Sequence, residues 1–340
     1  MNKNFNDLVN LFSKLTWRRT WNGLKIYSGY QYSKMTGSTL NKGLPISISF
    51  EPTTACNLRC PECPSGLRAF TRETGMLDPE FFRQIIDQLY RDLMYLTFYF
   101  QGEPFLHPQF TDMVKYAAEK KIYTATSTNA HFLNDELSRK AVESGLDRLI
   151  ISMDGTTQET YEKYRIGGSL EKVLEGTRNV VRWKQRLKSK TPHLIFQFLV
   201  VRHNENQLDE LKRLAKESGV DEVAFKTAQV YEYKHGHDLI PAQEKYSRYK
   251  QNKDGTWTIK NKLLNHCWRM WRSCVITWDG KIVPCCFDKD ASHVMGDLKQ
   301  KKFSEIWNSD GYQKFRRTLL KSRSEIEICK NCTEGTKVWA

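Results

Sequence analysis

Nine cysteines are the residues of this 340-residue chain best suited to chemistry, because they fall in tight groups. The first group is Cys56-Asn-Leu-Arg-Cys60-Pro-Glu-Cys63, a CxxxCxxC segment. Three thiolates this close can ligate three irons of a [4Fe–4S] cluster and leave the fourth iron open to a substrate or cofactor. A structural zinc ion usually needs four ligands, and the segment offers no fourth Cys or His. Zinc or inert thiols are therefore the less favoured interpretation.

A second group lies toward the carboxyl terminus, where Cys267, Cys285 and the pair Cys329-Lys-Asn-Cys332 follow the pattern CX12GX4C and then CxxC. Asp279-Gly280 predicts a two-residue type I′ hairpin, which would return Cys285 toward Cys267. Four thiolates can coordinate one [4Fe–4S] cluster completely. The spacing alone also fits a zinc ribbon with four cysteine ligands.

Length and composition limit the classes of protein that can carry these groups. The chain has 39% hydrophobic and 27% charged residues, which fits a folded protein with a sizeable core. We find no apolar run of about 18 residues that would predict a transmembrane helix, and the basic, aromatic start does not resemble a secretory signal. We therefore expect a cytoplasmic protein, where disulfides are rare, so the cysteines need another role.

Six short apolar runs alternate with amphipathic stretches and must position the first cysteine group. The predicted strands are 46–51, 96–101, 122–127, 148–153, 194–201 and 222–226. Strands separated by helices predict an α/β fold with a parallel sheet, here a partial (β/α)6 TIM-like barrel with a small C-terminal iron–sulfur domain. In such folds the functional residues lie at the carboxyl ends of the strands. The polar stretch 245–262 predicts a linker, and 303–320 predicts one helix.

The CxxxCxxC segment directly after the first predicted strand resembles the radical S-adenosylmethionine superfamily, and the resemblance spans about residues 45–235. It implies a [4Fe–4S] cluster whose open iron binds S-adenosylmethionine. One electron, from a donor such as flavodoxin or ferredoxin, would then yield methionine and a 5′-deoxyadenosyl radical that abstracts a substrate hydrogen. Gln101 and Glu62 depart from the residues common at their positions in the family.

The same resemblance implies cofactor contacts after successive strands. Gly102-Glu103-Pro104 is similar to the motif that holds the methionine amino group, and Arg165 stands where many members place a basic residue near the methionine carboxylate. The other implied contacts are Thr128, Asn129, Ser152, Asp154 and Asn204. Each has an ordinary alternative: a helix cap for Glu103, a turn for Asp154, a solvated charge for Arg165, and bonds to strand-end backbone for the rest.

The C-terminal pattern resembles a SPASM/twitch domain, which implies that Cys267, Cys285, Cys329 and Cys332 hold an auxiliary [4Fe–4S] cluster. Two such clusters would need about eight cysteines beyond the first three, and the chain has six. One auxiliary cluster is therefore favoured. Cys274 and Cys286 remain as small buried hydrophobes, as an alternative ligand in place of Cys267, or as hydrogen-atom donors. Asp288 could accept a proton, although a turn or surface role is more usual.

Positive charge is concentrated at the two ends of the chain. The formal net charge of +14 divides into +6 for residues 1–44, −1 for 45–240 and +9 for 241–340, which marks an N-terminal extension, a barrel and a C-terminal cluster domain. The basic, aromatic extension could contact RNA or an anionic membrane. We favour a helical arm packed on the barrel, because Leu8, Leu11, Phe12 and Leu15 form one helical face. Nucleic acid is the less favoured partner.

The sequence therefore predicts an enzyme that abstracts a hydrogen atom and oxidises or epimerises a small polar substrate, such as a sugar or cyclitol. Modification of a peptide follows closely, then modification of RNA, then a non-enzymatic iron–sulfur or zinc scaffold. The identity of the substrate and the oligomeric state lie beyond what the sequence indicates.

Overall fold

The computed structural model describes residues 3–260 and 262–332. Its first six strands form a parallel sheet in chain order. They are β1 (Ser47–Phe50), β2 (Tyr95–Phe98), β3 (Tyr123–Thr128), β4 (Arg148–Ser152), β5 (His193–Val200) and β6 (Glu222–Thr227). All six predicted strands are present, with ends that shift by up to three residues.

Helices connect these strands and cover the sheet. In this part of the chain they are α1 (Lys3–Ser13), α2 (Trp17–Thr36), α3 (Pro64–Leu67), α4 (Pro79–Leu89), α5 (Phe110–Glu119), α6 (Asp135–Glu143), α7 (Gln158–Tyr164), α8 (Leu170–Arg186) and α9 (Leu208–Glu217). Helix α4 begins where the Asp78 side chain accepts a hydrogen bond from the Phe81 amide, a typical N-cap. Its apolar face buries Phe82 between Phe50 of β1 and Phe98 of β2.

The sheet continues beyond the barrel into the C-terminal segment. The remaining elements are β7 (Tyr249–Gln251), β8 (Trp257–Ile259), α10 (Arg269–Arg272), β9 (Ser273–Ile276), β10 (Lys281–Val283), β11 (Gly296–Asp297), α11 (Phe303–Trp307), α12 (Asp310–Lys321) and α13 (Glu327–Lys330). Strand β9 pairs in parallel with β1, and β10 and β11 follow in antiparallel order. One open sheet of nine strands therefore joins the partial barrel to the C-terminal domain.

Three local predictions in the C-terminal segment are corrected. The β9–β10 connection is longer than a two-residue type I′ turn, because Ile276 pairs with Ile282 and only Gly280 has a positive φ. The predicted linker contains the β7–β8 hairpin, which buries Tyr249. The predicted helix 303–320 is two helices, because the Ser309 side chain caps a new start at α12.

The N-terminal extension packs on the barrel, but not through the face that the sequence predicts. Leu8, Phe12 and Leu15 are exposed. The polar side of α1 meets the barrel instead, where Asn10 and Lys14 bond to the Asp147 carboxylate at 2.7 and 3.0 Å. Within the described ranges, no helix has both the length and the apolar character needed to cross a membrane.

Candidate active site

A cavity of about 270 Å³ opens at the carboxyl ends of β1 to β4, where the family resemblance places the chemistry. Parallel strands direct the residues that follow them to one edge of the sheet. The lining includes Cys56, Cys60, Cys63, Tyr99, Gln101, Gly102, Glu103, Thr128, Asn129, Ser152, Arg165 and Lys289. Six of the cofactor contacts implied by the radical S-adenosylmethionine resemblance therefore share one wall with the three cysteines of the first group. They are Gly102, Glu103, Thr128, Asn129, Ser152 and Arg165.

The three thiols of the first group face polar side chains across the cavity. Cys56 Sγ lies 3.9 Å from the Asn129 amide nitrogen, Cys60 Sγ lies 3.6 Å from Arg165 Nη1, and Cys63 Sγ lies 3.9 Å from Gln101 Oε1. Burial raises the pKa of Cys56 to about 11. Since a metal binds the thiolate, iron binding must release this proton.

The Gly102-Glu103-Pro104 segment turns back against the loop that carries the cysteines. The Gly102 amide donates to Ser65 Oγ at 2.9 Å, and the Glu103 amide donates to the Ala55 carbonyl at 2.8 Å. Pro104 is buried and starts a short 3₁₀ turn. These bonds fix the segment beside the first cysteine group.

The buried Glu103 carboxylate accepts three hydrogen bonds, from Thr128 Oγ1 and the Asn129 amide at 2.8 Å each and from the Phe105 amide at 3.1 Å. The bond from the Phe105 amide is the helix cap that the sequence analysis gave as the alternative role of Glu103. A carboxylate has about four acceptor positions, so one remains available to an ammonium group in the cavity. Burial raises the pKa of Glu103, while these donors oppose the shift.

Arg165 is a buried partner of Asp154 rather than a solvated charge. Its Nε lies 2.5 Å from Asp154 Oδ2, and the two side chains are 18% and 1% exposed. Burial alone would lower the pKa of Arg165, but Asp154 and Cys60 outweigh it and raise the pKa well above its usual value. The guanidinium therefore stays charged where it meets the cavity.

Two residues implied as cofactor contacts act behind the wall instead. Asp154 holds Arg165 and accepts the Leu199 amide at 2.7 Å. Asn204 is fully buried, and its amide group donates to the Asp154 and Leu199 carbonyls at 2.9 Å each. Neither residue is among those that line the cavity. The structure shows positioning roles for both, and a direct contact with the cofactor stays a prediction.

The second group of cysteines shares one apolar pocket. Cys267, Cys285 and Cys329 belong to a buried cluster with Trp271 and Ile26 of α2. The thiol of Cys332 acts electrostatically on Cys285, and the Arg323 guanidinium acts on Cys267, Cys329 and Cys332. Burial raises the pKa of Cys329 to about 11. The N-terminal extension thus forms part of the wall around this second site.

The structure separates the three tentative catalytic residues. Cys274 lies in β9 within the main hydrophobic core, where burial raises its pKa far above the usual range. Asp288 is buried, and its carboxylate accepts hydrogen bonds from the Ser292 and His293 amides at 2.8 and 2.9 Å. It therefore stabilises a turn and is not an exposed surface residue. Cys286 lies close enough to Tyr99 of the cavity wall to affect its phenol.

Tyr99 and Lys289 are among the residues of the cavity wall that sequence reasoning missed. Tyr99 follows β2, and burial of its hydroxyl raises the pKa of Tyr99 to about 12. Lys289 comes from the loop after Cys285, and its amine lies 4.7 Å from the centre of the Tyr231 ring. The position of Tyr99 at a strand end is a signal that could have identified it. Lys289 reaches the cavity because the pairing of β9 with β1 brings the C-terminal segment to the barrel.

Glu62, one of the two departures from the family pattern, also lines the cavity. Its Oε2 accepts the Tyr231 amide at 3.0 Å, and its Oε1 lies 3.8 Å from His237 Nε2. The acidic side chain therefore anchors the loop after β6 over the cavity.

The cavity fits S-adenosylmethionine in its donors, acceptors and backbone. Glu103 retains an acceptor position, and Arg165 offers a buried cation. Within the part of the chain that the structure describes, no three His, Cys, Asp or Glu side chains converge as ligands of one ion would, so the cluster assignments depend on the shared positions of the thiols and on the family matches below.

Gly102 tests the close packing of this wall. It has a φ of +75°, and a Cβ atom there would lie 2.1 Å from the Thr53 carbonyl oxygen. Gly102→Ala must displace backbone beside the cysteines, at a cost of about 1–3 kcal/mol beyond the strain of the positive φ. We expect S-adenosylmethionine to bind at least about tenfold more weakly, as measured by anaerobic equilibrium dialysis.

Gly167→Ala is the matched control for this substitution. Gly167 has a similar φ of +78°, but a Cβ atom there would meet nothing within 4 Å. The control carries the backbone strain without the clash, so its affinity should stay close to that of the wild type. Equal losses in both variants would contradict the role of the close approach at Gly102.

Two family models match the chain in the regions that form these sites. Residues 50–215 match the radical SAM superfamily, and residues 267–333 match the SPASM iron–sulfur cluster-binding domain. The first match contains the cavity lining from Cys56 to Arg165, and the second contains the four C-terminal cysteines.

Three curated relatives share this organisation to different extents. The tungsten-containing aldehyde ferredoxin oxidoreductase cofactor-modifying protein of Pyrococcus furiosus is 28% identical over 84% of this chain and 86% of its own length. The mycofactocin maturase MftC of Mycobacterium ulcerans is 30% identical over 52% of this chain and 45% of its own length. The S-adenosyl-L-methionine-dependent 2-deoxy-scyllo-inosamine dehydrogenase of Niallia circulans is 22% identical over 84% and 91%.

Two solved structures share the fold. BtrN in complex with AdoMet and 2-DOIA has a TM-score of 0.52 at 19% identity, covering 87% of this chain and 95% of that chain. Streptococcus suis SuiB bound to S-adenosylmethionine has a TM-score of 0.64 at 13% identity, covering 91% and 76%. At these identities the likeness concerns the fold.

Proposed function

Since this chain belongs to the radical S-adenosylmethionine superfamily and carries a SPASM domain, we propose that it oxidises or epimerises a small polar substrate of sugar or cyclitol type. The loop from Cys285 to Lys289 carries the proposal. Cys285 belongs to the second thiol pocket, Cys286 acts on Tyr99 of the cavity, and Lys289 lines the cavity. The auxiliary cluster would therefore lie one short loop away from the substrate.

Proximity of this kind suits oxidation. When bound, the first cluster and S-adenosylmethionine supply a 5′-deoxyadenosyl radical that removes a hydrogen atom from a substrate carbon. Conversion of a carbinol to a carbonyl then requires the loss of one more electron and one proton. The loop that joins the second thiol pocket to the cavity would leave only a short distance for that electron to reach the auxiliary cluster.

The cavity wall also carries polar side chains that the family resemblance does not assign to the cofactor. Tyr99 carries its proton at neutral pH, as any phenol does, and desolvation raises the pKa of Tyr99 further, to about 12, so it donates to a substrate oxygen. Lys289 donates as a cation, and Gln101 can both donate and accept. A site built from such groups selects a substrate with several hydroxyls, because a substrate without them would leave buried polar groups unpaired.

The relatives support this class of substrate without fixing its identity. The Niallia circulans relative is by name a dehydrogenase of 2-deoxy-scyllo-inosamine, and six cysteines beyond the first three favour a single auxiliary cluster. Modification of a peptide is the second candidate, because another relative is by name a mycofactocin maturase. In either case we propose that a donor such as flavodoxin or ferredoxin supplies the first electron.

Deuterium transfer distinguishes the two classes of substrate. Reduced, anaerobically reconstituted protein would be incubated with S-adenosylmethionine and either C-deuterated sugars and cyclitols or deuterated peptides. We expect deuterium in 5′-deoxyadenosine only with a polyol, detected by mass spectrometry. Transfer from peptides and from no polyol would contradict the proposal.

Cys329→Ala tests the separate role of the auxiliary cluster. Because Cys329 lies in the second pocket, we expect the variant to cleave S-adenosylmethionine while forming little oxidised product. The iron content should fall from about eight to about four per chain, since each cluster holds four irons. The measurement is the ratio of oxidised product to 5′-deoxyadenosine, and an unchanged ratio would contradict an auxiliary role in oxidation.

A further inference from the structure

The end of the molecule opposite the cavity is covered by α1 and the first half of α2. Helix α1 meets the amino ends of two strands through polar contacts, in which Asp7 pairs with Arg148 and accepts the Tyr123 hydroxyl. Lys14 and Asn10 bond to the neighbouring Asp147 carboxylate. The polar side of α1 is therefore fixed toward the protein.

The apolar side of α1 consequently points away from the protein. Phe5, Leu8, Val9 and Phe12 recur at helical spacing and are 54%, 47%, 49% and 58% exposed. A surface helix of a globular protein normally turns its apolar stripe toward the core. The reversal in α1 leaves a contiguous apolar face, which is typical of an interaction surface.

Helix α2 presents further exposed apolar side chains at the same end of the barrel. Its inner side is held by the Arg19 guanidinium, which donates to the carbonyls of Tyr90 and Lys120 at 2.7 and 3.0 Å, at the same end of the barrel. On the opposite side, Trp17 is 81% exposed and its ring stacks with the exposed Trp21, with 6.5 Å between ring centres. The outer faces of both helices therefore point away from the cavity.

Positive charge adjoins this apolar face. The end of α8 and the loop after it read Lys184-Gln-Arg-Leu-Lys-Ser-Lys190 and contain no acidic residue. Arg186, Lys188 and Lys190 are exposed in it. Lys190 lines a groove of about 380 Å³ together with Phe5 and Val9 of α1. Basic side chains and the apolar stripe thus form one surface.

We propose that this end of the molecule, defined by Phe5, Leu8, Phe12, Trp17 and Trp21 together with residues 184–190, docks on the surface of an anionic lipid bilayer. An amphipathic helix that lies in the membrane interface buries an apolar face among the headgroups while Lys and Arg meet anionic lipids. Tryptophan favours this interface because its ring is apolar and its N–H is polar. The charge and the exposed rings together select a bilayer over a neutral protein surface.

Docking in this orientation leaves the catalytic cavity accessible from water. The cavity lies at the carboxyl ends of the strands, whereas α1 contacts the amino ends. The bilayer would therefore locate the enzyme without covering its active site. Formation of 5′-deoxyadenosine serves as an independent check that each variant is intact.

Vesicle flotation of the reconstituted full chain tests the proposal. Vesicles of phosphatidylcholine alone would be compared with vesicles that contain roughly 30% phosphatidylglycerol, a strongly anionic surface. We expect binding to the anionic vesicles to exceed binding to the neutral ones. The Phe12→Ser/Trp17→Ser variant should bind both kinds of vesicle at least about tenfold more weakly, because both substitutions remove apolar area that would be buried in the interface.

Charge variants and a surface control complete the experiment. Lys188→Gln/Lys190→Gln should weaken binding to anionic vesicles roughly tenfold and leave weak binding to neutral vesicles unchanged. Val294→Ser removes an apolar side chain that is similarly exposed, in the C-terminal domain, and should bind like the wild type. All variants should form 5′-deoxyadenosine at the wild-type rate.

Three outcomes would overturn the proposal. The first is that the wild type does not float with either kind of vesicle. The second is that the Phe12→Ser/Trp17→Ser variant binds as well as the Val294→Ser control. The third is a concentration-dependent dimer, measured by sedimentation, that this double variant dissociates while lipid has no effect, because the apolar face would then be a contact between two copies of the chain.

Discussion

Replacing Cys60 by alanine is expected to abolish formation of 5′-deoxyadenosine. Cys60 is buried in the cavity wall with its thiol 3.6 Å from the guanidinium of Arg165. Loss of one of three thiolates leaves two irons without a cysteine, so the cluster should not assemble. The iron content should fall from about eight to about four per chain, and S-adenosylmethionine should no longer be cleaved on reduction.

Cys274→Ala is the matched control because it is the same substitution at a buried cysteine outside both groups. Its thiol lies in the main hydrophobic core, so the substitution should reduce stability while preserving iron content and cleavage. A Cys60→Ala protein that keeps about eight irons and forms 5′-deoxyadenosine would contradict the ligand assignment.

Arg165→Ala is expected to have the second-largest effect, on both stability and cofactor affinity. Its removal leaves the Asp154 carboxylate buried without its cation, which costs about 3–5 kcal/mol of unfolding free energy. A charged hydrogen bond to the cofactor would also be lost, worth about 1.5–3 kcal/mol, or roughly 10- to 150-fold in S-adenosylmethionine affinity. Denaturant unfolding and equilibrium dialysis measure the two effects.

Arg139→Ala provides the control for Arg165→Ala. Arg139 pairs with Glu143 on α6, and the two side chains are 40% and 44% exposed. Exposed pairs of this kind contribute less than about 1 kcal/mol, so stability and affinity should hardly change. An Arg165→Ala variant that is as stable as the control would contradict the stabilising role of the buried Arg165–Asp154 pair.

Local sequence was sufficient to place the chemistry of the barrel. The CxxxCxxC segment and Gly102-Glu103-Pro104 each follow a strand, and parallel strands end at one edge, so order along the chain predicted their meeting in space. Arg165 follows helix α7 rather than a strand, and only the family resemblance predicted it at the cofactor. Its pairing with Asp154 could not be predicted, because it depends on how the loop after β4 folds back onto α7.

Long-range packing explains what sequence reasoning missed or misplaced. The periodicity of Leu8, Leu11 and Phe12 correctly predicts a helix, although Leu15 lies beyond its end. The bond between Asp7 and Tyr123 joins residues far apart in the chain and reverses the side that packs. Lys289 enters the cavity because β9 pairs with β1, a parallel contact across more than two hundred residues. Neither pairing leaves a local signal.

Reductive cleavage by the wild-type protein tests the central claim most directly. The reconstituted chain, with about eight irons, would be reduced with dithionite in the presence of S-adenosylmethionine, and methionine and 5′-deoxyadenosine would be quantified together. We predict that the two products form in equal amounts, and that neither forms when Cys56, Cys60 and Cys63 are all alanine. No cleavage by the fully loaded wild type, or cleavage that survives loss of the three cysteines, would contradict the account.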